Sequence, residues 1–235
     1  MDGTELMRLS PIAYIESQFP EKFGIPRQSG LIRELRGRVV FLPQFRSIEA
    51  LRGIEGYSHL WLIWHFSKVP PGKWSPTVRP PRLGGNRRVG VFASRSPFRP
   101  NPIGLSCVEL QGVDYEGKDA PALLIRGGDL MEGTPVLDIK PYLPFTDCYP
   151  EAAGGFTADN DWRQLRVEIP LDMLENVPMQ DRESLREVLA ADPRPHYHKD
   201  PDRVYGMVFS GLHLHFRVQE DRLIVLDIAK ENPGK

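Results

Sequence analysis

The chain has 235 residues, 40% hydrophobic and 26% charged, with a formal net charge of −1. That is the make-up of an ordinary soluble globular protein, long enough for one large domain or a main domain and a small one. The longest apolar run, Leu60–Phe66, is far too short to cross a bilayer as a helix, and two cysteines, Cys107 and Cys148, form neither a disulfide framework nor a metal-binding spacing.

The first residues, MDGTELMRLS, carry Asp2 and Glu5 and lack the apolar core of a secretory leader, so a cytoplasmic location is expected. Met7–Ser17 alternates loosely and predicts a first strand. Phe19–Leu31 is broken by Gly24, Pro26 and Gly30 and predicts a loop. Within it, Pro26-Arg27-Gln28 sets a stiff residue before a cation and an amide. Arg38–Leu42 predicts a strand. Ser47–Arg52 predicts a short helix, with Ser47 as its cap and Gly53 as its stop. Tyr57–Phe66, YSHLWLIWHF, is dense in aromatic and branched residues and predicts a strand buried on both faces.

Charge then segregates. From Gly56 to Val108 there is no acid, but there are eight cations: Lys68, Lys73, Arg79, Arg82, Arg87, Arg88, Arg95 and Arg99. The rest of the chain has 22 Lys and Arg against 31 acids, a balance of −9. Such separation points to an anionic partner such as nucleic acid, against the plainer reading of a solvated basic loop. Lys68–Gly85 is a Pro/Gly/Arg loop expected to order on binding. Gly90–Ser106, GVFASRSPFRPNPIGLS, predicts a strand, a cationic loop and a second strand. Pro97, Pro100 and Pro102 hold that loop extended and deny it ladder bonds.

Ser106–Val113 and Ala122–Arg126 predict further strands. Asp129–Tyr142 predicts a turn at Gly133 and a short strand on which Asp138, Lys140 and Tyr142 share one face. Asp147–Asp161 reads as a linker. Gln180–Ala191 is the clearest helix, with Leu185, Val188 and Leu189 on its apolar side. Tyr205–Phe209, Leu212–Val218 and Leu223–Ile228 predict an antiparallel meander. Many short strands, few helices and no β-α-β alternation predict a mainly β, α+β protein. The expected architecture is a β-barrel over residues 1–150 and a small C-terminal α+β domain over 151–235, with the linker at about 147–161.

No glycine fingerprint for a dinucleotide, no P-loop and no nucleophile elbow occurs, so a Rossmann site is not expected. The pairs His196/His198 and His213/His215 lack a third ligand at suitable spacing, and no metal is expected. Phe66, Gln28, Asn101, Arg27, Arg95 and the Gly133 turn would suit an adenine-bearing ligand, with an aromatic wall for the ring and amides at its edge.

The blocks FPEKFGIPRQSGL, IEGYSHLWLIWHF, GVFASRSPFRPNPIGLS and EGTPVLDIKPYLPFTD resemble, in order, the TsaA-like family of TrmO-type tRNA methyltransferases; DPRPHYHKDPDRVYGM is similar to the tail of the bacterial enzymes. The resemblance implies a single-sheet β-barrel that binds S-adenosylmethionine without a Rossmann fold and works as a homodimer. It implies methylation of the N6 nitrogen of N6-threonylcarbamoyladenosine beside the anticodon of a threonine tRNA. Carried over by position, the donor contacts are Pro26, Arg27, Gln28, His65, Phe66, Arg95, Leu105, Leu130, Met131, Glu132 and Gly133. Asn101, Asp138, Lys140 and Tyr142 are expected to orient the acceptor and take or polarise its proton. Arg99 is expected at the threonyl carboxylate, and Lys73, Arg79, Arg82, Arg87 and Arg88 on the RNA backbone. The alternative reading is a non-catalytic barrel that binds tRNA or a nucleotide.

Overall fold

A computed structural model describes residues 8–80, 87–158, 164–194 and 200–230. Six antiparallel strands close a barrel: β1 (Ala13–Ser17), β2 (Arg36–Phe41), β3 (His59–His65), β6 (Ile103–Asp114), β7 (Ala122–Arg126) and β8 (Pro135–Pro141). Their order around it is β1-β2-β7-β6-β3-β8. A two-stranded hairpin, β4 (Thr77–Val78) and β5 (Val89–Gly90), interrupts the long connection from β3 to β6. β4 stands inside the stretch predicted as a loop, because a two-residue strand leaves no periodic signal; β5 falls where the first strand of Gly90–Ser106 is predicted, but it ends at Gly90 and Val91–Ala93 turn into a 3-10 helix.

Each barrel strand faces inward at every second residue, as the pleat requires. On β3 the inward residues Leu60, Leu62 and Trp64 are buried, while His59, Trp61, Ile63 and His65 are only partly covered. The expectation of burial on both faces is therefore corrected. Closure gives a barrel one interior, and the aromatic density of β3 lies largely on its outer side. The first strand starts at Ala13, after Pro11, and not near Met7, which is outside the described residues. Ser47–Arg52 forms only a 3-10 turn over Glu49–Leu51, with Ser47 Oγ accepting from the Ala50 amide at 3.4 Å. Gly53 follows at φ 86°, the left-handed stop that glycine allows.

Beyond the short helix α1 (Pro144–Asp147), a second sheet forms in the order β10-β11-β12-β9. Its strands are β9 (Arg166–Glu168), β10 (Tyr205–Phe209), β11 (Leu212–Gln219) and β12 (Arg222–Lys230). The meander β10–β12 follows the predicted strands closely; β9 pairs parallel to β12 and carried no local signal. Helices α2 (Leu171–Glu175) and α3 (Arg182–Ala190) accompany it, and Leu185, Val188 and Leu189 of α3 are fully buried.

There are two hydrophobic cores. One fills the barrel around Leu60, Leu62, Val108, Leu123 and Val136. The other fills the C-terminal sheet but also takes in Phe19, Ile32 and Leu35 from the β1–β2 connection. Phe19 meets Phe209 edge-on at 5.4 Å. Gln18 ties the units together. Its amide donates to Asp181 at 2.8 Å, its side-chain oxygen accepts from the Arg36 amide at 3.0 Å, and its carbonyl accepts from the Ser210 amide at 2.8 Å.

Candidate active site

The antiparallel order puts three connections on one rim of the barrel. They are residues 18–35 after β1, 66–102 after β3 and 127–134 after β7. Each expected donor contact lies on one of them or in the strand end beside it. Pro26–Gln28 belong to the first, Phe66 and Arg95 to the second, and Leu130–Gly133 to the third, while His65 ends β3 and Leu105 is the third residue of β6.

Side chains then join the connections. Arg95 Nη1 donates to Gln28 Oε1, and Gln28 Nε2 donates back to the Arg27 carbonyl. The Phe66 amide donates to the Pro102 carbonyl at 2.8 Å, which clips the end of β3 to the start of β6. The third connection is pinned to β1. The Gly133 amide donates to Ile15 O at 2.8 Å, the Glu132 amide to Phe19 O at 2.8 Å, and Glu132 Oε2 accepts from the Ser17 amide at 2.6 Å. Gly133 sits at φ 72°, a turn conformation that a Cβ would strain. Leu130 points into the barrel core and is 3% exposed, so of this turn Leu130 serves the packing.

Beneath these contacts lies a group of residues that sequence reasoning missed. Trp64 Nε1 donates to Ser106 Oγ at 3.0 Å, and Ser106 Oγ donates to Asp129 Oδ1 at 2.6 Å. Asp129 also accepts the Ser29 amide and faces the charge of Arg95. Ser29 Oγ accepts the Cys107 amide at 3.0 Å. Burial pushes the Asp129 carboxyl above its ordinary range, and its hydrogen bonds and Arg95 pull the other way. One carboxylate thus sits on the third connection, accepts a bond from the first and feels the charge of Arg95 on the second. The signal for it was an acid, Asp129, between the apolar strand β7 and the glycine turn. A second signal was Gly104, whose missing side chain leaves room for the Trp64 indole across the sheet.

The expected acceptor-side residues are placed differently. Leu105, Ile63 and Asp138 form one row across β6, β3 and β8 on the outer face, putting Asp138 roughly 10 Å from Leu105 at ordinary strand spacing. Lys140 lies beside Trp61, and the Tyr142 amide donates to the His59 carbonyl at 3.0 Å, near the far rim. At about 3.3 Å per residue, β8 carries Tyr142 roughly 20 Å from Pro135. Within one chain, Lys140 and Tyr142 are not brought to the rim cluster; a strand that keeps three residues on one face also spreads them along its length. Asp138 pairs with Lys140 at 2.8 Å, both substantially exposed. Tyr142 packs on Trp61 at 5.8 Å, and desolvation followed by the Cys148 thiol holds its phenol above the ordinary range.

Arg99 braces its own loop, donating through Nη1 to the carbonyls of Ser94 at 2.9 Å and Ser96 at 3.4 Å. Asn101 is exposed on the same loop. Lys73, Arg79, Arg87 and Arg88 stand exposed on the hairpin excursion, Arg88 donating to Thr77 Oγ1 at 2.9 Å. Arg82, His196 and His198 lie outside the described residues. His215 faces Asp227 at 3.6 Å on the C-terminal sheet, away from the barrel.

Comparison with known proteins agrees with this architecture. Residues 14–148 match the tRNA-methyltransferase O N-terminal domain and residues 163–231 the TrmO C-terminal domain. The chain is 42% identical to the Escherichia coli tRNA (adenine(37)-N6)-methyltransferase, over 89% of this chain and 92% of that one. It is 43% identical to a Pseudomonas aeruginosa protein with the provisional name S-adenosylmethionine-dependent methyltransferase RcsF, over 94% and 97% of the two chains. The crystal structure of TrmO from Pseudomonas aeruginosa superposes with a TM-score of 0.77 at 38% identity, covering 97% of this chain and all of that one. Two family domains in order, a shared barrel and this extent of identity place the chain in the TrmO family of tRNA methyltransferases.

Proposed function

We propose that this protein methylates the N6 nitrogen of N6-threonylcarbamoyladenosine beside the anticodon of a threonine tRNA, using S-adenosylmethionine, as a cytoplasmic homodimer. The observation that carries the reading is the convergence of three rim connections on Arg95, Gln28 and Asp129 in a member of this family. Relatives named tRNA (adenine(37)-N6)-methyltransferase support the tRNA and the nitrogen acted on. Among the described residues no helix is long and apolar enough to cross a membrane.

The residues fit a donor of this kind. Phe66 packs edge-on against Trp64 at 4.2 Å and stays partly exposed, a wall for a flat ring. Leu105 is 47% exposed at the mouth of β6. Pro26, Arg27, Gln28, His65, Arg95 and the Met131-Glu132-Gly133 turn, anchored by the buried Leu130, would complete the binding surface. When bound, S-adenosylmethionine supplies an electrophilic methyl carbon open to in-line attack.

The chain's own task is to align the acceptor and remove one proton. The acceptor nitrogen lies between a purine ring and a carbonyl, which makes its proton more acidic than that of a plain amine, so a mild base suffices. Asp138, paired with Lys140, is that base. Tyr142, with its raised phenol, acts as a hydrogen-bond donor and not as a base at neutral pH. Asn101 orients the base edge. Arg99 keeps guanidinium N–H groups beyond those given to its loop, and they take the threonyl carboxylate. A homodimer lets the outer face of one barrel meet the rim of the other. The exposed Ile103 and Leu105 support such packing, as does the distance of Lys140 and Tyr142 from their own rim.

The test is methyl transfer to tRNA from cells lacking the modification, with and without the threonylcarbamoyl group. Transfer to the carbamoylated tRNA alone is expected. Transfer to neither, or to both equally, overturns the reading. Folded Asp138→Asn and Lys140→Ala variants with full turnover would remove those two residues from the mechanism.

A further inference from the structure

We propose that Trp74, Phe92 and Phe98, on the excursion between β3 and β6, form a stacking platform for unpaired RNA bases. The proposal rests on the function given above and deepens it: these side chains hold the loop bases that flank the target adenine.

All three rings are exposed, at 52%, 76% and 45%. Single exposed apolar residues need no explanation. These three, however, are stitched into one unit. The Ser75 amide donates to the Phe98 carbonyl at 3.2 Å, which sets Trp74 and Phe98 on neighbouring segments. The Val91 amide donates to the Pro76 carbonyl at 3.0 Å, which brings Phe92 to the same segment. Thr77 pairs with Gly90 just beyond. Val91 is 1% exposed and anchors the unit, so its neighbour Phe92 is left outward. The apolar surface is thus presented by a braced segment.

Charge decides what it is presented to. The exposed cations Lys73, Arg79, Arg87, Arg88 and Arg95 share the excursion with the rings, and no acid occurs between Gly56 and Val108. A second copy whose own excursion met this one across a two-fold axis would set cations against the same cations. RNA answers both features, since its phosphates neutralise the cations and every base offers a flat face. The location also suits the chemistry. Arg95 links this excursion to Gln28 at the rim. An enzyme that acts on a ring nitrogen substituent draws its base out of the stack, and the neighbouring bases then need new faces.

The experiment compares two RNAs by fluorescence anisotropy: an anticodon stem-loop and a blunt duplex with the same number of phosphates. Phe92→Ala and Trp74→Leu are each expected to weaken stem-loop binding roughly ten-fold and to leave duplex binding within about two-fold. The stem-loop should also quench tryptophan emission in the parent protein and much less in Trp74→Leu. S-adenosylmethionine titrated by calorimetry should bind both variants as it binds the parent. Absence of donor binding or of methyl transfer in the parent would count against the proposed function and leave the RNA comparison standing. Equal losses on both RNAs, or no loss on either, overturn the platform. Sedimentation showing that the variants fall apart into monomers, with stem-loop binding intact, would assign the patch to a second copy instead.

Discussion

Gly104 stands directly across from Trp64 on the inward face of the β3–β6 pair, and the indole lies over its backbone. A methyl group added there would sit 2.3 Å from Trp64 Cε2, 2.4 Å from Cζ2 and 2.6 Å from Cδ2. Ordinary contact begins near 3.4 Å, so in Gly104→Ala the ring must retreat by about 1 Å. It has little room. Trp64 is 8% exposed, its Nε1 is bound to Ser106 at 3.0 Å, and Phe66 stands 4.2 Å away. Overpacking of this kind costs about 1–3 kcal/mol, and losing the indole–hydroxyl bond adds about 1 kcal/mol. Removing a strand glycine returns about 0.5–1 kcal/mol. The net expectation is a loss of about 1–3 kcal/mol, which for a chain of this size lowers Tm by about 3–10 °C. Thermal unfolding followed by far-UV circular dichroism reads the shift, and the near-UV band reports the displaced indole. Donor affinity should weaken as well, because Phe66 moves with Trp64. A Tm within about 2 °C of the parent, with an unchanged near-UV spectrum, would refute the reasoning and mean that the strand yields where the ring was taken to be trapped.

Asp129→Asn tests the buried carboxyl. Because its folded value is raised, Asp129 adds most to stability below the ordinary carboxylate range, and that contribution is lost as pH rises through the folded value. The stability of the parent relative to Asp129→Asn should therefore fall between acid and neutral pH in urea unfolding; a flat or rising difference contradicts the assignment. Asp181→Ala removes a 5%-exposed acceptor shared by Gln18 at 2.8 Å and Arg36 at 2.7 Å, and should cost about 1–3 kcal/mol by urea unfolding. No change would mean that the two units are not coupled through Gln18. Lys140→Ala breaks only an exposed pair and should leave Tm within about 2 °C, so that a drop in turnover reports function; a large Tm loss would show a structural role. Binding of stem-loop RNA should weaken steeply with salt through the cations of the excursion, and a salt-insensitive constant would deny them phosphate contacts.

Several features of the chain are local and could be read before any fold was known. Period-two alternation marked most of the strands, the apolar side of Gln180–Ala191 marked α3, and glycine and proline marked the Pro26, Arg95 and Gly133 loops. Those signals act between residues a few positions apart, so they survive in one dimension. That 18 residues after β1, 37 after β3 and eight after β7 share one rim follows only from closing six antiparallel strands into a ring. Closure also left one buried face on β3 where its composition suggested two. The same closure set Asp129 against Ser106, Ser29 and Arg95, and let Phe19, Ile32 and Leu35 leave the barrel for the second core. Residue types and spacing thus determined which loops are stiff, charged and aromatic. Only the tertiary structure decided which of them meet, because a contact between residues a hundred positions apart depends on how the whole sheet curls.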